Sequence, residues 1–246
     1  MLALLLTLAA FGAAVLSGIT GLGGGTVLIA VIYAVGLLPV VAVPLHAGVQ
    51  LASNGSRTVA YLEHVDWPSF RWFLLGCLPA PFIVAPLILR ADPNVIRLVM
   101  AGFILLAMWP KLISGIRLHG HTGMVVSGVL AGGVGMIVGA TGMLVAPLFL
   151  REHWEKQRVI ATLAVCQTAA HVLKIVAFAS YGFNVLEYWY WLLPMAVAVV
   201  AGTWWGKHLH GKLDEDQFRG LFRTVLLLLV AKLSWDGLTG LAWIRL

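Results

Sequence analysis

Charged residues are scarce in this chain of 246 residues. Asp, Glu, Lys and Arg make up 11% of it, against roughly 25% in soluble domains, and hydrophobic residues make up 61%. The first 56 residues contain no such charged side chain. A soluble globular fold is excluded, because it would need a charged surface. The composition predicts an all-α polytopic membrane protein, with several passes through the plasma (inner) membrane.

Motifs of several other protein classes are also missing. Cys77 and Cys166 lie in apolar runs and indicate no disulfide framework. The 16 Lys and Arg form no run, so the net charge of +6 does not indicate a nucleic-acid partner. No Gly-x4-Gly-Lys-Ser/Thr motif is present, and no nucleophile with its base or pair of facing aspartates indicates catalysis. We therefore expect no enzymatic activity, no cofactor and no metal site.

Apolar runs of membrane length follow one another, since one span needs about 20 apolar residues. Eight segments are predicted, with approximate limits at residues 2–35, 39–62, 68–90, 94–113, 122–150, 156–181, 186–208 and 219–243. The first and fifth are too long for one simple span, and each contains a glycine cluster. Irregular backbone at membrane depth persists only where protein or a polar cavity satisfies its N–H and C=O groups. Both clusters therefore predict a break in the segment.

The chain also repeats itself. A shift of 117 residues takes Gly18 to Gly135, Gly25 to Gly142, Ala47 to Ala164, Gln50 to Gln167, and Arg57 to Lys174. Glycine breaks at matched positions in two halves are the best sequence pointer to a binding site in a secondary transporter. We predict two four-segment repeats, residues 1–115 and 118–246, that together form one transmembrane domain.

The orientation of the two halves stays open at this point. If each glycine-broken segment crosses the membrane once, the repeats are parallel. If both broken segments are re-entrant hairpins, the repeats are inverted. Lys and Arg divide nine against four between the two sides in the first case and ten against three in the second. The distribution of positive charge therefore does not separate the two arrangements.

Two polar stripes lie on otherwise apolar helices. The second segment carries Gln50, Asn54 and Arg57, and the sixth carries Gln167, His171 and Lys174. The spacing i, i+4, i+7 puts each set on one helical face. A charge at the bilayer centre costs about 2.5–3.5 kcal/mol, so such residues usually face a cavity or a partner. The alternatives are that Arg57 and Lys174 snorkel to an interface and that the two glutamines form interhelical hydrogen bonds.

The glycine breaks offer a second set of donors. A helix that restarts at Thr26 or Met143 would direct its free N–H groups and its positive dipole end at the break. Such helix starts bind anions, and glycine lets a ligand approach the backbone. The alternative is tight helix packing. The predicted substrate-binding residues, the stripes included, are Gly23, Gly24, Gly25, Thr26, Gln50, Asn54, Arg57, Thr141, Gly142, Gln167, His171 and Lys174.

Two other pairs of residues have separate predictions. Lys232 and Asp236, four residues apart in the last segment, are expected to pair with each other. Imidazole changes its charge near neutral pH, so His46 and His171 are candidates for coupling transport to protons. Because donors outnumber the acceptors placed at depth, the predicted substrate is small and negatively charged.

The two glycine-rich sequences resemble those of the TauE/SafE family. They are Gly18-Ile-Thr-Gly-Leu-Gly-Gly-Gly-Thr-Val-Leu-Ile and its echo Gly135-Met-Ile-Val-Gly-Ala-Thr-Gly-Met-Leu-Val-Ala-Pro147. The resemblance covers essentially the whole chain and implies a transporter of small sulfur-containing anions or related carboxylates. The second half departs from the pattern, since Ala140-Thr141-Gly142 stands where a glycine triplet is expected. This departure favours the first half as the main binding region.

These observations predict a secondary transporter that exports a small anion, sulfite or an organosulfonate, through a pathway between the two repeats. The alternative is an anion channel, or an accessory membrane subunit without its own transport cycle. The expected partners are the anion and the lipid bilayer. The sequence leaves the oligomeric state open, including a homo-oligomer.

Overall fold

The computed structural model describes residues 1–20, 23–109, 118, 120–150, 154–209 and 215–243. Within these ranges all regular structure is helical. The helices are α1 (Leu2–Thr20), α2 (Gly24–Ala34), α3 (Pro39–Ala60), α4 (Trp67–Cys77), α5 (Ala80–Arg90), α6 (Pro93–Met108), α7 (Gly120–Val129), α8 (Gly135–Val138), α9 (Gly142–Phe149), α10 (Lys156–Ser180), α11 (Trp189–Leu209) and α12 (Glu215–Trp243). A π-helical turn, Leu130–Val134, joins α7 to α8.

Six stretches of the described residues are long and apolar enough to cross a membrane. They are Leu2–Ile19, Trp67–Arg90, Gly120–Val138, Lys156–Ser180, Val185–Leu209 and Gly220–Ala242. Helix α3 is 22 residues long, but polar side chains interrupt its apolar run. Helices α2 and α6 are shorter apolar helices. The protein is therefore a multi-pass membrane protein, and the count of eight segments stays a prediction.

Both glycine clusters interrupt their segments. Helix α1 ends at Thr20 and α2 begins at Gly24, whereas α8 ends at Val138 and α9 begins at Gly142. The helices restart two residues and one residue earlier than the predicted positions Thr26 and Met143. The reason in the first half is Gly23, whose φ of 94° lies in the left-handed region, so that helical geometry resumes at the next residue.

The first broken segment folds back on itself. Gly24 lies against Ala13 and Ser17 of α1, whereas a continuous helix would carry it about 16 Å beyond Ala13. Leu28, one turn further along α2, borders the same cavity as Ala10. Helices α1 and α2 are therefore antiparallel. In the other half α9 contacts α7 and the π-helical turn, so the chain also returns there.

Glycines bring several helices into backbone contact. A Cβ on Gly18 would lie 2.9 Å from Cα of Gly206, which shows how closely α1 packs on α11. Helix α4 packs in the same way on α7, where a Cβ on Gly128 would collide with the Phe73 carbonyl. Small residues permit this approach between membrane helices. Gly18 therefore serves helix packing rather than the break itself.

Helices α3 and α10 form the centre of the molecule and carry the two polar stripes. The hydroxyls of Thr58 and Thr168 lie 3.1 Å apart and join these helices. The carboxylate of Asp66 accepts a hydrogen bond of 2.6 Å from Arg158 and so ties the loop after α3 to α10. In α12, Nζ of Lys232 lies 2.6 Å from the Asp236 carboxylate, which confirms the predicted pair.

Candidate functional site

A small cavity lies beside the first glycine break, between α1, α2, α3 and α11. Its volume, counted as the space open to the centre of a water-sized sphere, is about 40 Å³. One water needs roughly 10–15 Å³ of that space, so the cavity has room for about three waters. A ligand of that size is a small one. The lining residues are Ala10, Ala13, Ala14, Ser17, Gly24, Gly25, Leu28, Gln50, Ser53, Asn54, Arg57, Val199 and Thr203.

The polar stripe of α3 faces this cavity. Gln50, Asn54 and Arg57 all line it, and Nδ2 of Asn54 also donates a hydrogen bond of 3.1 Å to the Gln50 carbonyl. Among the residues that the structure describes, no carboxylate lies within ion-pair distance of Arg57. The cavity therefore has a guanidinium at its wall and no counter-ion for it in the described chain.

Two of the predicted glycines, Gly24 and Gly25, line the cavity and make close contacts. A Cβ on Gly25 would collide with the side-chain amide of Gln50. A Cβ on Gly24 would collide with the Ala13 carbonyl and lie 2.6 Å from Cβ of Ser17. Gly24 thus permits the helix hairpin, whereas Gly25 lets an amide of the polar stripe reach the backbone of the break.

Gly23 and Thr26 do not line the cavity. Gly23 adopts a left-handed conformation, and a Cβ there would lie 2.7 Å from the ring of Phe222 in α12 and 3.2 Å from Sδ of Met143. Thr26 is 2% exposed inside α2. Both residues shape the break rather than the cavity wall.

Three hydroxyl-bearing residues of the cavity wall were not predicted from the sequence, namely Ser17, Ser53 and Thr203. Ser53 lies on the same face of α3 as the stripe, between Gln50 and Arg57 at spacings of three and four, so its spacing was a usable signal. Thr203 belongs to α11 in the other half of the chain, and nothing in the local sequence links it to the break.

The second polar stripe has a different environment. Lys174 is fully buried, and its Nζ donates a hydrogen bond of 2.8 Å to the carbonyl of Gly139 in the second break. Gln167, His171 and Thr141 are 5%, 2% and 0% exposed. With Gly142, these residues were predicted to bind substrate, and none of them lines the cavity beside the first break.

A pair of histidines connects the two regions. Nε2 of His46 lies 3.0 Å from the carbonyl of Gly25. Because a carbonyl oxygen only accepts, Nε2 carries the proton and donates the hydrogen bond. The His46 ring also meets the ring of His171 edge to face, with 5.8 Å between the ring centres. No group of three His, Cys, Asp or Glu side chains that could hold a metal ion occurs in the described ranges.

The two breaks lie side by side. A Cβ on Gly25 would be 3.4 Å from Cβ of Ala140, and the hydroxyl of Tyr33 donates a hydrogen bond of 3.1 Å to the Ile137 carbonyl. The start of α2 therefore packs against the irregular backbone of the second break.

Residues 6–233 match the profile of a protein family described as Sulfite exporter TauE/SafE. Searches of curated proteins and of solved structures gave no match.

Proposed function

Because the chain belongs to the sulfite exporter TauE/SafE family, we propose that it is a secondary transporter that exports a small anion. The substrate is sulfite or an organosulfonate, and the membrane is the plasma (inner) membrane. The pathway runs between the two halves of the chain. The family consists of membrane transporters of sulfur-containing anions, and the multi-pass helical fold agrees with it.

The observation that carries this proposal is the guanidinium of Arg57 at the cavity wall. A charged side chain within a membrane segment usually pairs with another group or faces a water-filled cavity. Arg57 has no carboxylate within ion-pair distance in the described chain, and amide and hydroxyl groups surround the same cavity. An anion in the cavity would supply the missing negative charge and accept hydrogen bonds from these donors.

Substrate binding is assigned first to the residues of the first half. Arg57 supplies charge, and Gln50 and Asn54 supply amide donors. The start of α2 adds free N–H groups near Gly24 and Gly25, since the first residues of a helix have no intrahelical partner. Gly23 and Thr26 contribute by holding this helix start in place. Thr141, Gly142, Gln167, His171 and Lys174 belong to the same pathway in the second half.

We also propose that the two halves are inverted repeats. The shift of 117 residues takes Pro39, where α3 begins, to Lys156, where α10 begins. The first half makes an odd number of passes. Its hairpin of α1 and α2 returns to the side where it began, and three passes follow, in α3, in α4 with α5, and in α6. A second half that starts on the opposite side of the membrane is then inverted. The paired packing of α1 on α11 and of α4 on α7 agrees with such a two-fold relation.

The driving force follows from the substrate charge. The exit of a monovalent anion from an inside-negative cell releases about 2.3 kcal/mol of free energy per 100 mV of membrane potential. Export of such an anion proceeds without a coupled ion.

Counterflow in proteoliposomes tests the proposal. Vesicles loaded with unlabelled sulfite should take up external labelled sulfite faster and to a higher transient level than empty vesicles. A channel would show no such acceleration, and an accessory subunit without its own transport cycle would give no uptake at all. Repeating the assay with methanesulfonate and with sulfate separates sulfonate from sulfite specificity.

A further inference from the structure

Three buried polar side chains around the second break have atoms without partners. Oγ1 of Thr141, Nε2 of Gln167 and Nδ1 of His171 make no hydrogen bond within the described residues. The large majority of buried side-chain polar atoms in proteins have a hydrogen-bond partner. Three unpaired atoms in one region indicate that a polar partner belongs there.

Lys174 adds an uncompensated charge to the same region. Its ammonium has three N–H donors, and the structure gives it one acceptor, the carbonyl of Gly139. In the part of the chain that the structure describes, no carboxylate lies within 4.0 Å of it. Buried charges in proteins are normally paired, so the expected partner of this region is an anion.

Lys174 and Thr141 border one point beside the second break, and Gln167 and His171 lie on the same face of α10 as Lys174. A Cβ on Gly135 would lie 2.7 Å from Nζ of Lys174 and 3.4 Å from Cγ2 of Thr141, so both side chains border the same point. Thr141 immediately precedes α9, whose first N–H groups have no intrahelical partner. Beside Gly142 there is open space, since a Cβ there would meet no atom within 4 Å.

This place is separate from the cavity of the first half. The residues of the second region do not line that cavity, namely Thr141, Gly142, Gln167, His171 and Lys174. The edge-to-face contact of His46 with His171 lies between the two regions. Through His46, the histidine contact connects the Gly25 carbonyl to the stripe of α10.

We propose that Lys174, Thr141 and the start of α9, together with Gln167 and His171, form a second subsite for a small desolvated oxyanion. This inference rests on the proposed transport function and adds a second position on the same pathway. In the present conformation Lys174 closes the subsite by donating to the Gly139 carbonyl. When the anion arrives from the first cavity, the ammonium leaves that carbonyl and binds the anion instead.

Gly142→Leu tests the subsite with little risk to folding, because Gly142 has a negative φ and open space around its Cβ position. The matched control is Gly102→Leu, at an exposed glycine of α6 that also has no atom within 4 Å. Binding is measured as the sulfite-induced rise in unfolding temperature of detergent-purified protein, and transport as sulfite counterflow. We expect Gly142→Leu to keep sulfite binding at the first cavity and to lose about tenfold or more in counterflow. Gly102→Leu should change neither.

Lys174→Met is the second variant, since it keeps an unbranched side chain only one atom shorter and removes its charge. We expect it to keep sulfite binding and to lose counterflow, whereas Arg57→Ala should lose both.

Full counterflow in Gly142→Leu and Lys174→Met would overturn the second subsite and leave the transport function standing. Loss of sulfite binding in either of them, as in Arg57→Ala, would also overturn it, because a single site would then explain the data. If sulfite, sulfate and methanesulfonate all fail to stabilise the unsubstituted protein, the second subsite and the proposed function both fall. If Lys174→Met does not fold, Gly142→Leu decides the question.

Discussion

The two glycine breaks have matched sequences and opposite environments. In the first half Arg57 lines a small cavity beside the start of α2. In the second half its counterpart, Lys174, is fully buried and bonded to the carbonyl of the break itself. The same pattern of a glycine break and a polar stripe has thus produced one accessible cation and one enclosed cation. A repeated motif can therefore have two different environments in one molecule.

The largest expected effect comes from removing the accessible cation. Arg57→Ala should reduce sulfite transport about 10- to 150-fold, since a hydrogen bond to a charged group contributes about 1.5–3 kcal/mol. Initial rates of uptake into proteoliposomes measure the change. Arg71→Ala, at an exposed arginine of α4, is the control for a general loss of positive charge. Unchanged transport in Arg57→Ala would reduce Arg57 to an interfacial anchor.

The next effect compares the matched glycines Gly25 and Gly142. Gly25→Ala should destabilise the protein by about 1 kcal/mol, because its Cβ displaces the end of the Gln50 side chain. Gly142→Ala should fold at least as well as the unsubstituted protein, because its Cβ meets no atom. Thermal unfolding in detergent measures both.

A double substitution separates packing from binding at Gly25. Gly25→Ala combined with Gln50→Ala removes the overlap and should restore stability, while transport stays low because the amide donor is gone. Restored transport in the double variant would show that Gln50 does not bind substrate.

A smaller effect is expected where the loop after α3 joins α10. Asp66 caps α4 by accepting from the N–H of Ser69 and pairs with Arg158. Burial raises the pKa of Asp66, but the hydrogen bonds from Ser69 and the charge of Arg158 outweigh burial and lower it overall. The contribution of Asp66 is therefore complete above its unfolded pKa of about 3.9 and is lost as the pH falls through the lower folded value.

Two substitutions divide this contribution. Asp66→Asn keeps a capping oxygen and loses the charge, so its cost near pH 7 should be below about 1 kcal/mol. Asp66→Ala also loses the cap and should cost about 1 kcal/mol more. Unfolding temperatures at neutral and acidic pH measure both, and the difference between Asp66→Asn and the unsubstituted protein should shrink at low pH. A difference that stays constant would mean that the charge of Asp66 is not involved.

The last effect concerns the contact between the two broken segments. Tyr33→Phe removes the hydrogen bond to the Ile137 carbonyl and keeps the packing of the ring, so it should cost about 0.5–1.5 kcal/mol. A shift in unfolding temperature of a few degrees at most, with transport retained, is the expected result. A complete loss of transport would mean that the relative position of the two breaks is set by this one bond.

The sequence was sufficient to predict the features that depend on local composition. The absence of charge before Arg57 predicted membrane helices, and the glycine clusters predicted the two breaks. The spacing of Gln50, Asn54 and Arg57 predicted one helical face, which lies at the cavity. These predictions succeeded because helix geometry and the cost of charge in lipid act on neighbouring residues.

The remaining features depend on contacts between distant segments. The stripes of α3 and α10 have the same spacing. Spacing alone therefore does not distinguish the stripe that faces a cavity from the one that is enclosed. Val199 and Thr203 complete the cavity from α11, and the Gly139 carbonyl accepts from Lys174 only because the second break passes beside α10. Tertiary packing decides such matters. The sequence of one chain does not reveal them.

The contribution of α11 to the cavity has a consequence for biosynthesis. The ribosome makes α1, α2 and α3 well before α11, so the nascent first half enters the bilayer with one wall of its cavity missing. Until Val199 and Thr203 arrive, water or lipid headgroups must cover the donors beside Gly25. An N-terminal fragment that ends before α11 is therefore expected to be held by insertion factors or degraded, rather than to fold as an independent half-transporter.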